Sequence, residues 1–459
     1  MKILMVSNLY PPHFRGGYEV RCAQVAEALV QLGHDVRVLT TVYGLPLSPS
    51  GTFQPAMEII NGVPVDRRLH NGAFGPQDPS RPWTWHQVKR DLADARYFVN
   101  LLKRFQPDIV NWWNMNGVSM TLLPIPSTLR IPDVHWIEYP WMADEYGKCG
   151  EKVKPFWDSV WDGTWGPSAA RPLFRWWGRR LERQVREEGL PTREFPNCPT
   201  HVSFVSEYLR ALYRESGLEF PSSGVLFGGV PEEPFYAPID PARERSTELR
   251  TLYAGQLTYD RGLHVAVEAI GQLPKEVQRR VTLTVAGPTT EAYRPYFEQV
   301  SARVQDLGLN ERVRFMGKVN HEEIAKIYKS HHVLLFMSMR EEGLPLVMVE
   351  AMLAGCAVVT TGSGGAIEIA RLAELPLVRK DDPGAVAALL RSYLDDPLRL
   401  NEVALRGQQV ALKELTLETM IARWQGKLQE ICSRTRLSKD GGGTVEELPQ
   451  MPLAGSKVQ

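Results

Sequence analysis

The 459-residue sequence has no apolar run that approaches the roughly 18 residues required to cross a bilayer. It also has no excess of either charge, because 53 Lys and Arg side chains balance 53 Asp and Glu side chains. The whole chain therefore produces no field that would steer it to nucleic acid, and we expect no nucleic-acid partner. The opening MKILMV is followed at once by polar and proline residues, which indicates a buried strand and not a secretory signal.

Cysteine is scarce as well, and the five cysteines are widely spaced. No close pair of the kind found in zinc sites or disulfide frameworks occurs among Cys22, Cys149, Cys198, Cys356 and Cys432. We therefore expect a cytoplasmic protein without a structural metal. The chain also lacks a G-x-G-x-x-G fingerprint, which argues against a nicotinamide-dependent oxidoreductase.

Strand and helix patterns alternate through both halves of the chain, which predicts parallel sheets covered by helices. A strand at 3–6, a helical pattern at 18–32 that Gly33 ends, and a strand at 35–41 make a β–α–β start. Later strands of this half are indicated by PDIVNWW, IPDVHWI and VSFVS. A second alternation begins near residue 250 and runs from RTLYAGQL through RVTLTVAGP, RVRFMGKV, HEEIAKIYKS and HVLLFMS to AVVTTGSGG.

We therefore predict an α/β protein with a first domain at 1–215 and a second at 216–414. The span 215–248 is rich in proline, glycine and charge, so we interpret it as the linker. An amphipathic helix at 415–435 follows, and we expect it to pack back on the first domain. The tail at 436–459 lacks the apolar content to order itself.

Residues 141–200 differ in character from the rest, and we interpret them as an insertion over the first domain. Their tryptophans stand among basic and proline residues at positions Trp157, Trp161, Trp165, Trp176 and Trp177. Such a surface suits contact with a glycan or a membrane interface, but aromatic side chains also serve internal packing. The sequence leaves both interpretations open, with peripheral membrane contact as one of them.

The stretch REEGLPLVMVEAMLAG, at 340–355, places a carboxylate among apolar residues. Pro345 is suited to the first position of a helix and Gly355 to the position just past its end. Glu350 lies inside this apolar helix, and a glutamate is almost never fully buried unless a group pairs with it. That partner is either an arginine or helix N–H group of the protein, or the hydroxyls of a ligand such as a ribose diol.

A second carboxylate, Glu342, precedes Glu350 by eight positions. If the intervening chain were wholly helical, the two would be separated by roughly 12 Å along the axis. Glycosidase acid pairs stand about 5 to 9.5 Å apart, so the spacing argues against that chemistry. It suits a long ligand held at both ends, with anionic groups near the helix N-terminus.

Gly16 and Gly17 lie directly before the first predicted helix. Glycine at such a place lets backbone N–H groups approach a ligand closely, although a plain strand-to-helix turn uses the same residues.

In order and spacing, these stretches resemble retaining glycosyltransferases of family 4. That family has the GT-B fold, in which two Rossmann-like α/β domains face each other across a cleft. The resemblance depends on the E-x7-E pattern of Glu342 and Glu350, and on AVVTTGSGGAIE after it. Supporting stretches are the Gly16–Gly17 loop, GHDVRVLT, GGV at 228–230, AGQLTYDRG, VAGP and VRFMGKVNHEEI. It covers nearly the whole chain except 141–200 and the tail.

The resemblance implies transfer of a hexosyl unit from a nucleotide-diphosphate sugar to a hydroxyl acceptor with retained anomeric configuration. Glu350 would accept hydrogen bonds from the donor ribose, Glu342 would lie beside the donor sugar, and Arg261 would bind the diphosphate. Other implied donor-binding positions are Gly16, Gly17, Gln256, Gly287, Met316, Gly343, Leu344 and Pro345. The donor would be a substrate, with no cofactor and no metal, in agreement with the absence of a D-x-D motif.

The sequence departs from the family pattern in two places. Gln256 stands where an arginine is usual, so one positive charge is missing and Arg261 remains. The acceptor-side histidine that usually follows the I-P-x-V strand aligns by ungapped count with Glu138, while His135 lies three residues earlier. Because a strand alternates faces, Glu138 and His135 do not both point into the cleft unless the chain bends. Both are candidate catalytic residues. We prefer Glu138, and for His135 we favour a core histidine over a catalytic role.

Two other classes of function fit the same sequence. One comprises GT-B phosphorylases and nucleotide-sugar hydrolases or epimerases. The other is a non-catalytic sugar-nucleotide-binding protein, which the missing arginine makes conceivable.

Overall fold

The computed structural model describes residues 1–45, 55–70, 85–141, 168–190, 200–218, 220, 222–240 and 246–440. Trp157, Trp161 and Trp165 of the predicted insertion, and the tail from 441 to 459, lie outside these ranges. Trp176 and Trp177 are described. None of the helices within the described ranges is both long and apolar enough to cross a membrane.

The first half of the chain forms an eight-stranded sheet. Its order is β3-β4-β2-β1-β5-β6-β7-β8, and every pairing is parallel except that of β3 with β4. The strands are β1 Lys2–Val6, β2 Asp35–Thr41, β3 Ala56–Ile60, β4 Val63–Leu69, β5 Ile109–Trp112, β6 Asp133–Ile137, β7 His201–Phe204 and β8 Ser223–Val225. The predicted strands at 3–6 and 35–41 are confirmed, because their apolar side chains form the centre of this sheet.

The second half forms a five-stranded parallel sheet in the order β11-β10-β9-β12-β13. Its strands are β9 Leu249–Ala254, β10 Val281–Ala286, β11 Val313–Gly317, β12 Val333–Phe336 and β13 Ala357–Thr360. Parallel strands need crossover connections, and helices supply them on both faces of each sheet. The two sheets have separate apolar cores.

The helices of the first half are α1 Gly17–Gln31, α2 Trp85–Phe105, α3 Ile125–Thr128, α4 Arg171–Glu187 and α5 Glu207–Glu215. Those of the second half are α6 Glu232–Phe235, α7 Leu263–Gly271, α8 Lys275–Gln278, α9 Arg294–Asp306, α10 His321–Ser330, α11 Leu346–Leu353, α12 Ala366–Leu372, α13 Pro383–Asp395, α14 Pro397–Glu414 and α15 Leu417–Asp440. Short 3-10 turns occur at Met120–Leu122, Ser168–Ala170, Tyr259–Arg261 and Glu291–Tyr293.

The last helix, α15, returns to the first half. Trp424 is fully buried in the first core, with its ring edge against Trp136 at a centroid distance of 5.0 Å. The chain therefore crosses between the two halves twice. The crossings lie side by side, because Val230 N–H donates to the Leu415 carbonyl and Leu417 N–H donates to the Val230 carbonyl.

Four details differ from the sequence-based expectations. The first sheet includes an antiparallel pair, β3 and β4, that the parallel pattern did not predict. Strand β8 joins the first sheet although it lies inside the span interpreted as the linker. Helix α15 runs through Asp440, past the expected end at 435. Pro345 precedes α11 in an extended conformation and is not its first helical residue, while Gly355 has the positive φ of +78° expected past the helix end.

Candidate active site

The two halves meet at the segment between β12 and α11. Leu344 packs against both apolar cores. Gly343 approaches the end of β6 so closely that an added Cβ would lie 2.5 Å from the Glu138 carbonyl oxygen. Only glycine fits at this contact. The backbone around Gly343 therefore lies where the two halves touch, and we call this contact the floor of the site.

Glu350 lies on α11 and receives a hydrogen bond from the Tyr328 hydroxyl of α10, with 3.0 Å between Tyr328 Oη and Glu350 Oε2. Burial raises the pKa of Glu350 to about 7, and the bond from Tyr328 and the charge of Arg21 partly offset the rise. A hydroxyl therefore holds this acid, and among the described residues no arginine forms an ion pair with it. This leaves it an acceptor for further hydroxyl donors.

Arg261 and Glu342 form an ion pair beside this floor. Arg261 follows the turn after β9, and Glu342 follows β12, so the pair joins the carboxyl ends of two neighbouring strands. Ser338 Oγ lies 3.5 Å from Glu342 Oε1. Burial raises the pKa of the Glu342 carboxyl, and the adjacent Arg261 guanidinium partly offsets it.

Arg340 brings a second guanidinium to the same place. Its Nη1 lies 3.9 Å from Asp260 Oδ2, and its side chain is half-exposed. Its charge also lowers the pKa of Glu342. The sequence analysis did not single it out, since an arginine in a loop is ordinarily a solvated surface residue.

The implied donor-binding positions of the second half lie at one edge of its sheet. Gln256 follows β9, Gly287 follows β10, and Met316 lies in β11. Gly287 packs against the Gly255 carbonyl without room for a side chain. These positions therefore lie with Arg261 at the carboxyl ends of the strands, where ligands usually bind to such sheets.

The Gly16–Gly17 loop faces this edge from the first half. A Cβ added at Gly17 would lie 4.0 Å from the Cδ1 atom of Leu346, which is the first residue of α11. The Gly16 N–H donates to Glu19 Oε2 at 2.9 Å, and Asn114 Nδ2 donates to Glu19 Oε1 at 2.8 Å. Glu19 thus fixes the loop. The N–H of Gly17 is one of the first helical N–H groups, which have no partner within the helix itself.

Glu138 and His135 have different surroundings. Glu138 forms an ion pair with Arg21, 2.7 Å between Oε1 and Nε, and accepts from Trp136 Nε1 at 2.8 Å. Burial raises the pKa of Glu138, and Arg21 partly offsets the rise. The Glu138 carbonyl lies against Gly343, so of these two residues Glu138 lies at the contact between the halves.

His135 is 2% exposed and lies between the rings of Trp112 and Trp141, at centroid distances of 6.0 and 6.2 Å. Its Nε2 is 3.7 Å from Asp133 Oδ2. The strand alternation at β6 therefore places His135 in the core and away from the contact with Gly343.

Two residues that sequence reasoning missed connect the halves. Arg21 of α1 pairs with Glu138 and also donates to the Gly229 carbonyl at the crossing. Glu368 of α12 accepts from the backbone N–H groups of Glu207 and Tyr208, both at 2.8 Å, and so caps α5 of the other half. Only the GGAIE run around Glu368 hinted at a fixed role, and nothing local marked Arg21.

Within the described ranges, no group of three His, Cys, Asp or Glu side chains is placed to hold a metal ion. Metal independence stays a prediction.

Comparison with known families matches both halves. Residues 15–230 match the family model described as Glycosyltransferase Family 4, and residues 239–410 match that described as Glycosyl transferases group 1. The boundary between the matches falls at the chain crossing, next to Val230.

Among curated relatives, an uncharacterized glycosyltransferase of Methanocaldococcus jannaschii is 27% identical over 377 residues, covering 80% of this chain and 82% of that protein. A glycogen synthase of Mycobacterium tuberculosis is 25% identical over 429 residues, covering 92% of each chain. Among solved structures, Anabaena HepE in complex with UDP and glucose has a TM-score of 0.59 at 16% identity, covering 94% of this chain and all of that one.

These matches follow both halves in order, and the expected GT-B fold, an α/β architecture of two Rossmann-like domains, is confirmed. The chain belongs to the glycosyltransferases of family 4 type.

Proposed function

We propose that this glycosyltransferase is a retaining hexosyltransferase that uses a nucleotide-diphosphate sugar as donor and a hydroxyl group as acceptor. The observation that carries the proposal is Glu350, a half-buried acid that accepts a hydrogen bond from the Tyr328 hydroxyl. A ribose diol would supply the further hydrogen bonds that a carboxylate in apolar surroundings requires.

The charges around Glu342 suit the rest of such a donor. Arg261 and Arg340 would face the diphosphate, and the amide of Gly17 would add a donor from the other half. Fixed positive groups aimed at a leaving diphosphate stabilise the charge that develops on it as the glycosidic bond breaks. Anabaena HepE, which has the same fold, was solved with UDP and glucose. This supports a nucleotide sugar as the donor class.

In the proposed reaction, the bond from the anomeric carbon to the diphosphate oxygen breaks. The bond from that carbon to the acceptor oxygen forms on the same face of the sugar, and the acceptor proton goes to the leaving diphosphate. Glu138, next to Gly343 and paired with Arg21, would line the acceptor side. His135 takes no part in this proposal, because it is stacked between tryptophans in the core.

The first experiment is a thermal-shift screen against UDP, GDP, ADP and dTDP sugars. A donor present at 100 times its dissociation constant stabilises the folded protein by about 2.7 kcal/mol. Stabilisation by none of these sugars would contradict the donor assignment.

Turnover with the donor so identified separates the alternatives. Incubation without an acceptor detects hydrolysis or epimerisation, and phosphate with a glycan detects a phosphorylase. Tight donor binding without turnover across many acceptors would indicate a binding protein. If transfer occurs, NMR of the first product should show the anomeric configuration of the donor. An inverted product would rule out the retaining mechanism.

Two further parts of the proposal concern place and cofactor. The protein would act in the cytoplasm with peripheral contact to a membrane, and without a metal. The absence of a metal is tested by measuring turnover in EDTA, where we expect full activity.

A further inference from the structure

Helix α4, in the predicted insertion, differs from the other helices of the first half in what it exposes. It contains six arginines and two glutamates. Its inner side buries Gly178, Glu182 and Val185 against the domain. The outer side exposes Leu173 to 65% and Trp176 to 58%, so two large apolar side chains lie next to each other on the surface of one helix.

The exposed apolar and basic side chains share one helix face. At 100° per residue, Leu173, Trp176 and Arg180 lie within about 60° of each other, and Arg179 and Arg183 border them. All three of these arginines are exposed. The Arg180 guanidinium lies 5.9 Å from the centre of the Trp176 ring. The face thus combines a large apolar pair with a cluster of cations.

A groove between α4 and α2 extends this face. It encloses about 300 Å³ and is lined by Lys89, Leu92, Arg96, Trp177, Arg180, Leu181 and Gln184. Lys89 and Arg180 border the apolar side chains of Leu92, Trp177 and Leu181, and Arg96 is paired there with Glu188. This chemistry matches an anionic headgroup with its attached acyl chain.

We propose that the outer face of α4, comprising Leu173, Trp176, Arg179, Arg180 and Arg183, docks this enzyme on a membrane surface rich in anionic lipid. The inference rests on the peripheral membrane contact proposed above, and it names the surface and the lipid chemistry. On such a face Trp and Leu enter the boundary between headgroups and acyl chains, while the arginines beside them are attracted to anionic headgroups.

A soluble polyanion is the competing occupant. It would pair with the arginines but would leave Leu173 and Trp176 in water. The balanced charge of the whole chain also means that attraction to a membrane must come from a local patch such as this one.

The test is co-sedimentation of the full chain with vesicles of phosphatidylcholine alone or containing 30% phosphatidylglycerol. We expect binding to the anionic vesicles only. The triple variant Arg179→Glu, Arg180→Glu, Arg183→Glu should lose on the order of 100-fold in partitioning, at about fivefold for each lost cation. A matched control, Arg279→Glu, Arg314→Glu, Lys413→Glu, makes the same change in net charge at exposed sites of the second half and should bind like wild type.

The apolar contribution is tested by Leu173→Ala with Trp176→Ala. This variant should bind anionic vesicles more weakly while its binding to heparin stays unchanged. Equal loss in the two triple variants, no binding of wild type to anionic vesicles, or binding to heparin alone would each overturn the proposal. Donor turnover in vesicle-free buffer is measured on every variant. If donor turnover is absent from wild type and from every variant, the result counts against the proposed reaction and not against the docking face.

Discussion

At the scale of single residues, Glu350 is held by Tyr328 in surroundings that favour its protonated form. Its folded-state pKa of about 7 exceeds the ordinary value near 4.5. A raised carboxyl pKa means that the group stabilises the fold at pH values below about 4.5. This contribution is lost as the pH rises through 7. Glu350 is therefore an acid whose ionisation costs stability, as expected of a group kept for binding.

The first prediction concerns the pH dependence of donor binding. A ribose diol donates to the ionised form of Glu350, so affinity for an intact nucleotide sugar should increase from pH 6 to pH 8 and level off above the pKa. In Glu350→Gln the affinity should be lower and flat over this range. Isothermal titration calorimetry with the intact nucleotide sugar measures this affinity. The intact sugar is suitable because its diphosphate diester does not titrate between pH 6 and pH 8. A wild-type affinity independent of pH would contradict the assigned role.

Arg261, which we propose binds the diphosphate, is paired with Glu342 at the ends of two strands. Arg261→Ala should lower kcat about 10²- to 10³-fold, the usual loss when one fixed donor to a developing anion is removed. It also leaves the half-buried Glu342 without this partner, so the pKa of Glu342 should rise further.

Arg340→Ala compares the second guanidinium of the proposed diphosphate site with Arg261. Arg340 is half-exposed and its pair with Asp260 is long, so water screens its charge, and we expect it to contribute only about 0.2 to 1 kcal/mol toward the diphosphate, as exposed ion pairs do. We expect a loss in kcat of about fivefold at most. Steady-state kinetics at saturating donor separates the two variants. Equal losses would mean that both arginines hold the diphosphate to the same degree.

At the scale of elements, α12 and α5 are joined across the two halves by one carboxylate. Glu368 accepts from two N–H groups at the start of α5, where the helix dipole also favours a negative charge. The loop before α12 contacts the proposed donor site as well, because the Gly365 N–H donates to the Glu342 carbonyl at 2.8 Å. The same short segment thus contacts the proposed donor site and the other half.

We therefore predict that Glu368→Ala increases the fraction of molecules in which the two halves have moved apart (open) relative to those in which they are in contact (closed). Loss of such a cap costs about 1 kcal/mol, which changes a ratio of open to closed molecules about fivefold. Single-molecule FRET between labels on the two halves measures the ratio. Arg371→Ala, an exposed change on the same helix, is the control and should leave it unchanged. An unaltered distribution in Glu368→Ala would show that this cap does not hold the halves together.

At the scale of the whole molecule, α15 makes the two halves depend on each other for stability. Trp424 comes from the end of the chain, yet its indole is fully buried beside Trp136 and its Nε1 donates to Asn111 Oδ1 at 3.3 Å. The core of the first half is therefore incomplete until the second half has been made.

Trp424→Ala should lower the free energy of unfolding of the first half by about 3 to 5 kcal/mol, the usual cost of removing a buried tryptophan. Two domains can unfold in separate transitions, so calorimetry should show the first-half transition shifted down and the second-half transition retained. Glu418→Ala, an exposed change near the start of the same helix, should shift neither. A shift of both transitions together would mean that the halves unfold as one unit.

The sequence by itself determined the repeated strand–helix alternation and the position of an acid within an apolar helix. These features depend on side-chain periodicity and on the backbone limits of proline and glycine, which act within a few residues. Gly33 and Gly355 ended helices where predicted for that reason. Even the helical pattern before Gly33 was reproduced to within a residue.

Only the tertiary structure decided which groups meet. Burial of His135 between Trp112 and Trp141, the partner of Glu350, and the cap formed by Glu368 all join residues far apart in the chain. Strand β8 likewise found its place by pairing with β7, although its three residues carry too little apolar pattern to be recognised. Hydrogen bonds and ion pairs of this kind form between surfaces that folding brings together, and no local pattern of side chains specifies them.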